Sequence, residues 1–260
     1  MTVSTKPLEA KAKEEQKGKA LELLASLGVN AKETKTIGIY GASMIGKSVL
    51  AAIIAREYAG ENGTAVVFGT EAHYSDEDYR NMISRFLPKS KYINYCHYVD
   101  ELYHYFDLVR KKQFEGKVAM ILDSLSFIAL EETAEWNMKG VTEPRVIIAR
   151  VVPTLNTVAA AFKELVVEKH ALGIVIMHAG SMAGVGKYRG LVDFRPAMAM
   201  RTAHSLDYLI LMESEGYSLN SPRKLTLVAS RLNPLSEGKT AKFKFKDSEI
   251  EEVAEQGSGK

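Results

Sequence analysis

The residues from Gly41 to Ser48, with the sequence GASMIGKS, have the types and spacing of a phosphate-binding loop. The pattern is a glycine, four further residues and then Gly-Lys-Ser, and its backbone N–H groups surround an anion. The ammonium group of Lys47 can reach the β- and γ-phosphates of a nucleotide, and the Ser48 hydroxyl can bind Mg²⁺. The motif therefore predicts a site for ATP with Mg²⁺.

The segments on either side of this motif fit the same interpretation. Residues 36–40 (TIGIY) form an apolar, β-rich stretch that predicts a buried strand, and residues 49–58 are apolar at helical spacing. A helix that begins at the loop adds partial positive charge where the phosphates bind. The alternative is a glycine-rich turn that matches the pattern by chance. The expected nucleotide-binding residues of the motif are Gly41, Ala42, Ser43, Met44, Ile45, Gly46, Lys47, Ser48 and Val49.

Three polar residues follow further apolar stretches that predict buried strands. Asp123 ends residues 117–123 (KVAMILD), Glu71 follows residues 64–70, and His178 follows residues 173–177. Ligands of parallel sheets bind outside the carboxyl ends of the strands, so these side chains are expected near the nucleotide. Asp123 would help to hold Mg²⁺ and Glu71 would orient the attacking water. The alternatives are that Asp123 caps the next turn and that Glu71 is a helix-capping or surface residue.

Composition narrows the class of protein. Of the 260 residues 46% are hydrophobic and 25% are charged, which is typical of a globular domain that needs no disulfide or metal to hold its core. The single cysteine, Cys96, excludes an intramolecular disulfide and favours the cytoplasm. No apolar stretch approaches the ~20 residues of a membrane span, so no membrane partner is expected. The net charge of +2 is too small to indicate nucleic-acid binding.

The order of the patterns predicts an α/β fold. Strands alternate with helices as far as residue 177 and are then followed by strands alone, at 206–212, 224–229 and 241–245. This order indicates a mostly parallel central sheet with antiparallel C-terminal strands and helices on both faces. Residues 131–144 are expected to be irregular and residues 179–203 to form a long loop. We divide the chain into a charged N-terminal helical segment (1–35), a core domain (36–247) and a flexible C-terminal tail (248–260).

Over residues 36–247 the order of these motifs resembles the RecA/RadA/KaiC superfamily of ATPases. The resemblance rests on the phosphate loop, the strand ends at Thr70-Glu71, Asp123-Ser124 and His178, and the segment 203–207 (AHSLD) before the closing strands. It implies a RecA-like P-loop NTPase core with ATP and Mg²⁺ as cofactors. By that resemblance the expected roles are phosphate binding by Lys47, magnesium binding by Ser48 and Asp123, water activation by Glu71, sensing of the γ-phosphate by His178, packing on adenine by Tyr79 or Arg80, and contact with a neighbouring subunit's ATP by Arg231.

Several positions depart from the pattern of that superfamily. Met44 and Ile45 stand where relatives usually have small residues, and His178 stands where Gln is common. The first phenylalanine is Phe68, so no Phe-x-x-Ala segment precedes the core and the usual RadA polymerisation contact is expected to be absent. The chain resembles an archaeal RadA paralogue or a stand-alone KaiC-like protein more than a full recombinase.

Two segments correspond to the DNA-contacting loops of the superfamily, at about 128–145 and 179–204. The second segment combines cations with an aromatic ring, a composition that suits single-stranded DNA. The candidate DNA-binding residues are Lys187, Tyr188, Arg189, Arg195 and Arg201. In the first segment Trp136, Lys139 and Arg145 are opposed by several glutamates. The alternative for the second segment is a nucleotide-gated flap without a DNA role.

Three functions remain open at this stage. The first is a Mg²⁺-dependent ATPase that binds single-stranded DNA and assists recombination or repair, as a homo-oligomer or as the partner of a recombinase. The second is a KaiC-like regulatory ATPase whose ATP or ADP state controls binding to another protein. The third is a nucleotide-binding module with negligible turnover.

Overall fold

The computed structural model describes residues 18–181, the backbone of residues 194–196, and residues 205–253 apart from 217 and 219. The side chains at positions 144, 180 and 181 are also outside this description. The α-helices are α1 (Lys19–Ser26), α2 (Lys47–Ala59), α3 (Glu77–Ser84), α4 (Val99–Lys111), α5 (Leu125–Met138) and α6 (Pro144–Glu168). The strands are β1 (Thr36–Gly41), β2 (Thr64–Gly69), β3 (Ser90–Tyr95), β4 (Val118–Asp123), β5 (Leu172–Ser181), β6 (Phe194–Pro196), β7 (Tyr208–Ser214), β8 (Arg223–Ser230), β9 (Thr240–Lys246) and β10 (Glu249–Glu252).

One mixed sheet organises the described residues. Its strand order is β10-β9-β8-β7-β1-β5-β4-β2-β3, and β6 pairs antiparallel with the end of β5. The strands from β3 to β7 along this order run parallel, whereas β8, β9 and β10 are antiparallel to their neighbours. The predicted fold class, a mostly parallel sheet with an antiparallel C-terminal extension, is therefore confirmed.

The central strands are apolar throughout because each of their faces is covered by helices. Successive side chains of a strand point to opposite faces, and here Ile39 packs with α1 and α2 whereas Tyr40 packs with α4 and α6. Both side chains are completely buried. Burying an aliphatic side chain of this size contributes roughly 1.5–3 kcal/mol. The two hydrophobic layers fix the sheet and so fix the positions of its carboxyl ends.

Helix α6 is long and apolar, in agreement with the long helical pattern of residues 145–170 in the sequence. By length and composition, residues 145–168 are the one described segment that could cross a membrane, and a single such helix is weak evidence for a span. Val158, Phe162 and Leu165 are fully buried in the layer beneath the sheet. The apolar character of α6 is therefore explained by its packing as a core helix.

One local prediction was wrong. Residues 131–138 belong to α5, which packs along α6, whereas we expected residues 131–144 to be irregular. The buried residues of α5 lie in its first turns, so the exposed C-terminal half carries little periodic signal. Helix α3 is capped by Asp76, whose carboxylate accepts the Asp78 N–H at 2.7 Å.

Both ends of the core extend beyond the predicted boundaries. Strand β10 pairs with β9, so the sheet continues past residue 247 into the segment that we expected to be a tail. At the other end, the Glu57 carboxylate accepts the N–H groups of Ala20 and Leu21 at 2.8 and 3.0 Å and so caps α1. Helix α1 thereby joins the hydrophobic layer of α2. Residues 1–17 and 254–260 lie outside the described part of the chain.

Candidate nucleotide-binding site

The sheet brings the predicted site residues to one edge. Strands β1, β5, β4 and β2 are adjacent and parallel, so their carboxyl ends lie side by side. Gly41 at the end of β1 is level with His178 in β5, and Gly69 at the end of β2 is level with Asp123 in β4. Glu71 follows β2 by two residues. The topology thus places the loop from Gly41 to Ser48 beside all three polar residues.

The backbone of the loop has a conformation that requires glycine near its end. Gly46 has a φ of 95°, in the region that side chains rarely adopt, and a Cβ there would lie 2.6 Å from the Phe245 ring. Helix α2 begins at the next residue, and the Leu50 N–H donates to the Gly46 carbonyl at 2.9 Å. The loop therefore turns directly into a helix N-terminus, the geometry that favours an anion.

The two bulky residues of the loop leave its outer surface accessible. Ile45 is buried in the hydrophobic layer beneath the loop. Met44 has a φ of 62° and a side chain that is 92% exposed. The loop therefore accommodates the departure from small residues by directing one side chain into the core and the other into solvent.

Lys47 lies folded over its own loop. Its ammonium group donates to the Ala42 carbonyl at 2.6 Å, and the side chain is almost fully buried. Burial lowers the pKa of Lys47, and the charges of Asp123 and Glu71 only partly oppose that shift. A phosphate bound in the loop would supply the charged partner that this ammonium group lacks.

Asp123 is a buried carboxylate whose two oxygens have different surroundings. Tyr74 donates its hydroxyl to Oδ2 at 2.6 Å. Oδ1 is buried and has no hydrogen-bond partner among the described residues. Burial and then the charge of Glu71 raise the pKa of Asp123, and the hydroxyls of Ser48 and Tyr74 offset this only in part. An orphaned carboxylate oxygen beside the loop is a suitable ligand for a divalent cation.

Glu71, His178 and Ser43 form a chain of hydrogen bonds across the site. His178 Nε2 lies 3.0 Å from Glu71 Oε1, and its Nδ1 lies 2.8 Å from Ser43 Oγ. A neutral ring would donate to the carboxylate and accept from the serine. The His178 backbone N–H also donates to Ser126 Oγ at 2.9 Å, which holds the end of β5. The histidine thus connects the phosphate loop to the candidate water-activating residue.

A second histidine also lies beside Glu71. His73 Nδ1 is 3.5 Å from Glu71 Oε2. Burial alone would raise the pKa of Glu71, but hydrogen bonds from His178 and Ser124 and the electrostatic influence of the two histidine rings outweigh burial and lower the pKa. Glu71 is therefore held as a carboxylate, the form that can orient a water molecule.

The two residues proposed to contact adenine occupy different positions. Tyr79 packs on His73 and Tyr74, with ring centroids 4.0 and 5.0 Å apart, and burial raises its pKa to about 12. A hydrogen-bonding interaction with Ser48 partly opposes this rise in pKa, so the Tyr79 hydroxyl lies near Ser48. Arg80 donates to the Tyr74 carbonyl at 2.9 Å. Packing on adenine by either residue stays a prediction.

Arg231 lies away from the site of its own chain. The Arg231 backbone N–H donates to the Asp207 carbonyl. Arg231 directly follows strand β8, which begins level with the end of β7, near the phosphate loop, and runs away from that loop. Arg231 is thus at the opposite edge of the sheet, eight residues after the start of β8 and about 26 Å along the strand at about 3.3 Å per residue. A contact between Arg231 and a neighbouring subunit's ATP stays a prediction.

Arg223 is a residue near the loop that the sequence did not reveal. Its side chain is 1% exposed, its Nε donates to the Ile45 carbonyl at 3.2 Å, and its guanidinium lies 5.0 Å from the centroid of the Phe245 ring. Arg223 and Phe245 therefore pack against the loop and support its conformation. No motif marks Arg223, because only the strand order brings the start of β8 to this edge.

The candidate DNA-binding residues are largely outside the described part of the chain. Those outside it are Lys187, Tyr188, Arg189 and Arg201. Arg195 is in β6, level with Gly180 of β5 and therefore close to His178 along the sheet. In the first segment, the Trp136 ring has Lys139 at 4.9 Å and Arg150 at 5.3 Å from its centroid. Two cations, one at the C-terminal end of α5 and one in α6, thus already lie against this ring.

Among the described residues, no group of three or more His, Cys, Asp or Glu side chains could hold a metal ion. A single carboxylate and a hydroxyl nevertheless suit Mg²⁺, which is commonly held by one or two carboxylates together with substrate phosphates.

Comparisons with known proteins support the architecture. No protein-family model matches the chain, and no curated protein matches it. The chain is similar to the crystal structure of the RadB recombinase, with a TM-score of 0.58 and 15% sequence identity. This similarity covers 89% of the present chain and 96% of that chain. At this identity the similarity establishes the fold, and the chain has the fold of a RecA-like core.

Proposed function

We propose that the protein is a Mg²⁺-dependent ATPase of the RecA type that binds single-stranded DNA and assists recombination or repair in the cytoplasm. The observation that carries the ATPase part is the convergence of Lys47, Asp123, Glu71 and His178 around the loop at one edge of the sheet. His178 contacts both Glu71 and Ser43 of the loop, and the charges of Asp123 and Glu71 both oppose the lowering of the Lys47 pKa.

The phosphates would be held by the loop and by Lys47. The loop leads into the N-terminus of α2, whose N–H groups favour negative charge. Lys47 would exchange the Ala42 carbonyl for the β- and γ-phosphates. Because its ammonium is buried, the interaction with phosphate is stronger than it would be in water.

Ser48 and Asp123 would hold Mg²⁺. The fit of these residues to the metal rests on Asp123 Oδ1, which is buried, unpartnered in the described structure and close to the loop. Mg²⁺ neutralises charge on the β- and γ-phosphates when it is bound. The raised pKa of Asp123 also fits, because a neighbouring cation would stabilise the charged carboxylate that burial disfavours.

Glu71 and His178 would prepare the attacking water. Glu71 is ionised and lies at the tip of the neighbouring strand, where its carboxylate can orient a water molecule towards the γ-phosphate. The arriving phosphate would compete with Ser43 for His178. His178 is thus placed to report the nucleotide state to the end of β5 and to β6, which pairs with it.

The proposed oligomerisation and the proposed binding of single-stranded DNA rest on the sequence. The cations and tyrosine of segment 179–204 suit phosphates and bases, and the adjoining strand β6 lies beside His178. One aromatic and a few cations per subunit give weak binding, since stacking is worth ~1–3 kcal/mol per base. An array of subunits or a recombinase partner would therefore be needed for firm binding.

A KaiC-like regulatory ATPase is the second candidate, and the first segment favours it. Helices α5 and α6 fill most of residues 128–145, and Trp136 is engaged by Lys139 and Arg150 instead of being free to stack on a base. In this case the nucleotide state would control contact with another protein, and DNA would have no effect on turnover.

The test is the ATPase rate of the unmutated protein and of Lys47→Ala, with and without single-stranded DNA, at two salt concentrations. We expect Lys47→Ala to reduce turnover by at least about 10²-fold, because it removes a buried cation aimed at the phosphates. Turnover equal to that of the unmutated protein would exclude Lys47 from the mechanism. A rate that is indifferent to DNA would favour the regulatory function.

The DNA segment needs a separate variant. Replacing Lys187, Tyr188 and Arg189 together by alanine should weaken single-strand binding at low salt and leave ATP binding unchanged. Single-strand binding equal to that of the unmutated protein would remove this segment from the proposal.

A further inference from the structure

We propose that Tyr74 is a positioning residue that holds Asp123 in one orientation and thereby reserves its second carboxylate oxygen for the divalent metal. The inference deepens the proposed function and rests on it, because the metal acts at the same nucleotide site. Tyr74 is absent from the phosphate-binding motif, and its place in the site comes from the fold of the segment that follows Glu71.

The position of Tyr74 is set by a short turn. Residues Ala72–Ser75 form a 3₁₀ helix, and the Tyr74 N–H donates to the Glu71 carbonyl at 2.9 Å. The turn folds the Tyr74 ring back over the end of β2. A Cβ at Gly69 would lie 2.2 Å from Cγ of this ring, so the missing side chain at Gly69 makes room for it. Gly69 is also level with Asp123 in the neighbouring strand.

The Tyr74 ring is fixed on several sides. It is 1% exposed, and the rings of His73 and Tyr79 each pack on it with centroids 5.0 Å apart. Arg80 donates to the Tyr74 carbonyl at 2.9 Å. Its hydroxyl therefore has a single well-defined position, which is 2.6 Å from Asp123 Oδ2.

This contact gives the two oxygens of the Asp123 carboxylate different surroundings. Oδ2 accepts the tyrosine hydroxyl, and Oδ1 has no partner among the described residues although it is buried. Without the hydroxyl, the carboxylate could turn towards the Lys47 ammonium, whose pKa it already raises. A carboxylate paired with Lys47 would be a poorer metal ligand. Loss of such a supporting hydrogen bond typically costs about 10–100-fold in metal affinity.

The test compares Tyr74→Phe with the unmutated protein and with Tyr58→Phe. Tyr58 is a matched control, because its hydroxyl is also buried but has no hydrogen-bond partner among the described residues. ATP affinity is measured by calorimetry at a series of free Mg²⁺ concentrations and in EDTA. We expect Tyr74→Phe to need about 10-fold more Mg²⁺ for half of the metal-dependent gain in affinity. We also expect its affinity in EDTA, and all values for Tyr58→Phe, to be unchanged.

The outcomes separate this inference from the proposed function. Equal Mg²⁺ requirements for Tyr74→Phe and the unmutated protein would overturn the role of Tyr74 alone. An unmutated protein that binds ATP equally with and without Mg²⁺ would overturn both the metal site and this inference.

A double variant provides the second measurement, which remains decisive if Tyr74→Phe alone does not fold. In the Asp123→Asn background the anionic metal ligand is gone, so a hydroxyl that acts only by orienting that carboxylate can no longer affect metal binding. Tyr74→Phe should then cause no further change in the Mg²⁺ requirement. An additional loss in that background would overturn the inference, because Tyr74 would be acting on something other than Asp123.

Discussion

The two edges of the sheet each contain a buried aspartate, and the two carboxylates have different surroundings. At the amino edge, Asp207 Oδ2 accepts the N–H and the hydroxyl of Thr36 at 2.9 and 3.0 Å, and its Oδ1 accepts Lys163 Nζ at 3.0 Å. At the carboxyl edge, Asp123 Oδ2 accepts the Tyr74 hydroxyl at 2.6 Å, and Oδ1 has no hydrogen-bond partner in the described chain.

The pKa values of the two groups move in opposite directions. Burial alone would raise the pKa of Asp207, but hydrogen bonds from Lys163 and Thr36 outweigh it and lower the pKa. Burial and the charge of Glu71 raise the pKa of Asp123. A carboxylate with all its partners present stabilises the fold, whereas one that is buried with a free oxygen costs stability unless a ligand arrives. The difference supports the proposal that the carboxyl edge is the functional one.

The largest expected effect is on turnover at the carboxyl edge. Glu71→Gln keeps the shape of the side chain and removes the charge that would orient water, so turnover should fall by roughly 10²–10⁴-fold with ATP affinity retained. Steady-state ATPase rates and ATP calorimetry measure the two quantities. The control is Glu131→Gln, since Glu131 pairs with His97 at 3.3 Å outside the site. A Glu71→Gln rate equal to that of the unmutated protein would favour a binding module with negligible turnover.

The next effect is on stability, and it should differ between the two aspartates. Asp207→Asn must place an amide N–H₂ group against either Thr36 or Lys163, so we expect a loss of about 3 kcal/mol in the free energy of unfolding. Asp123→Asn in the absence of nucleotide and metal should be neutral or stabilising, because it removes a buried, poorly compensated charge. Urea unfolding of both variants provides the comparison. Equal losses would show that Asp123 is as well satisfied as Asp207.

Much of this arrangement could be predicted from sequence, and the reason is topological. The strand before Gly41 and the strands that end at Asp123 and near Glu71 are continuous apolar stretches, which identify buried parallel strands. Parallel strands bring their carboxyl ends together, so the meeting of Glu71, Asp123 and His178 follows once the strands are recognised. Their chemical roles stay predictions.

The supporting contacts could not be predicted, because they depend on how several elements pack together. Tyr74 reaches Asp123 only because of the 3₁₀ turn after β2 and the missing side chain at Gly69. Arg223 reaches the loop only because β8 pairs antiparallel with β7. Strand β10, with the sequence EIEE, has too few apolar residues to be recognised without the neighbouring strand that pairs with it.

A smaller effect is the pH dependence of the two asparagine variants. In the folded protein the pKa of Asp207 is lowered. Its contribution to the free energy of unfolding is therefore present above the unfolded pKa of about 3.9 and is lost as pH falls through the folded pKa. In the folded protein the pKa of Asp123 is raised. Its contribution to the free energy of unfolding is therefore present below the unfolded pKa of about 3.9 and is lost as pH rises through the folded pKa. Unfolding midpoints in EDTA between about pH 3 and 8 should show the deficit of Asp207→Asn shrinking in acid. The relative gain of Asp123→Asn should grow as pH rises, and parallel curves for the two variants would contradict the comparison.

The smallest effect is expected at Ser43, on the solvent side of the same edge. Its hydroxyl lies 2.8 Å from His178 Nδ1 in an exposed contact, so it should be worth about 0.5–1.5 kcal/mol. Ser43→Ala should therefore change turnover by about 2- to 10-fold, with ATP affinity nearly constant, in steady-state ATPase assays. Ser75→Ala is the control, because the Ser75 hydroxyl bonds only to the Ala72 carbonyl at 2.7 Å in a similarly exposed position. Since Glu71 keeps its bond to His178 in this variant, a loss as large as that of Glu71→Gln would mean that Ser43 contacts the reacting phosphate directly.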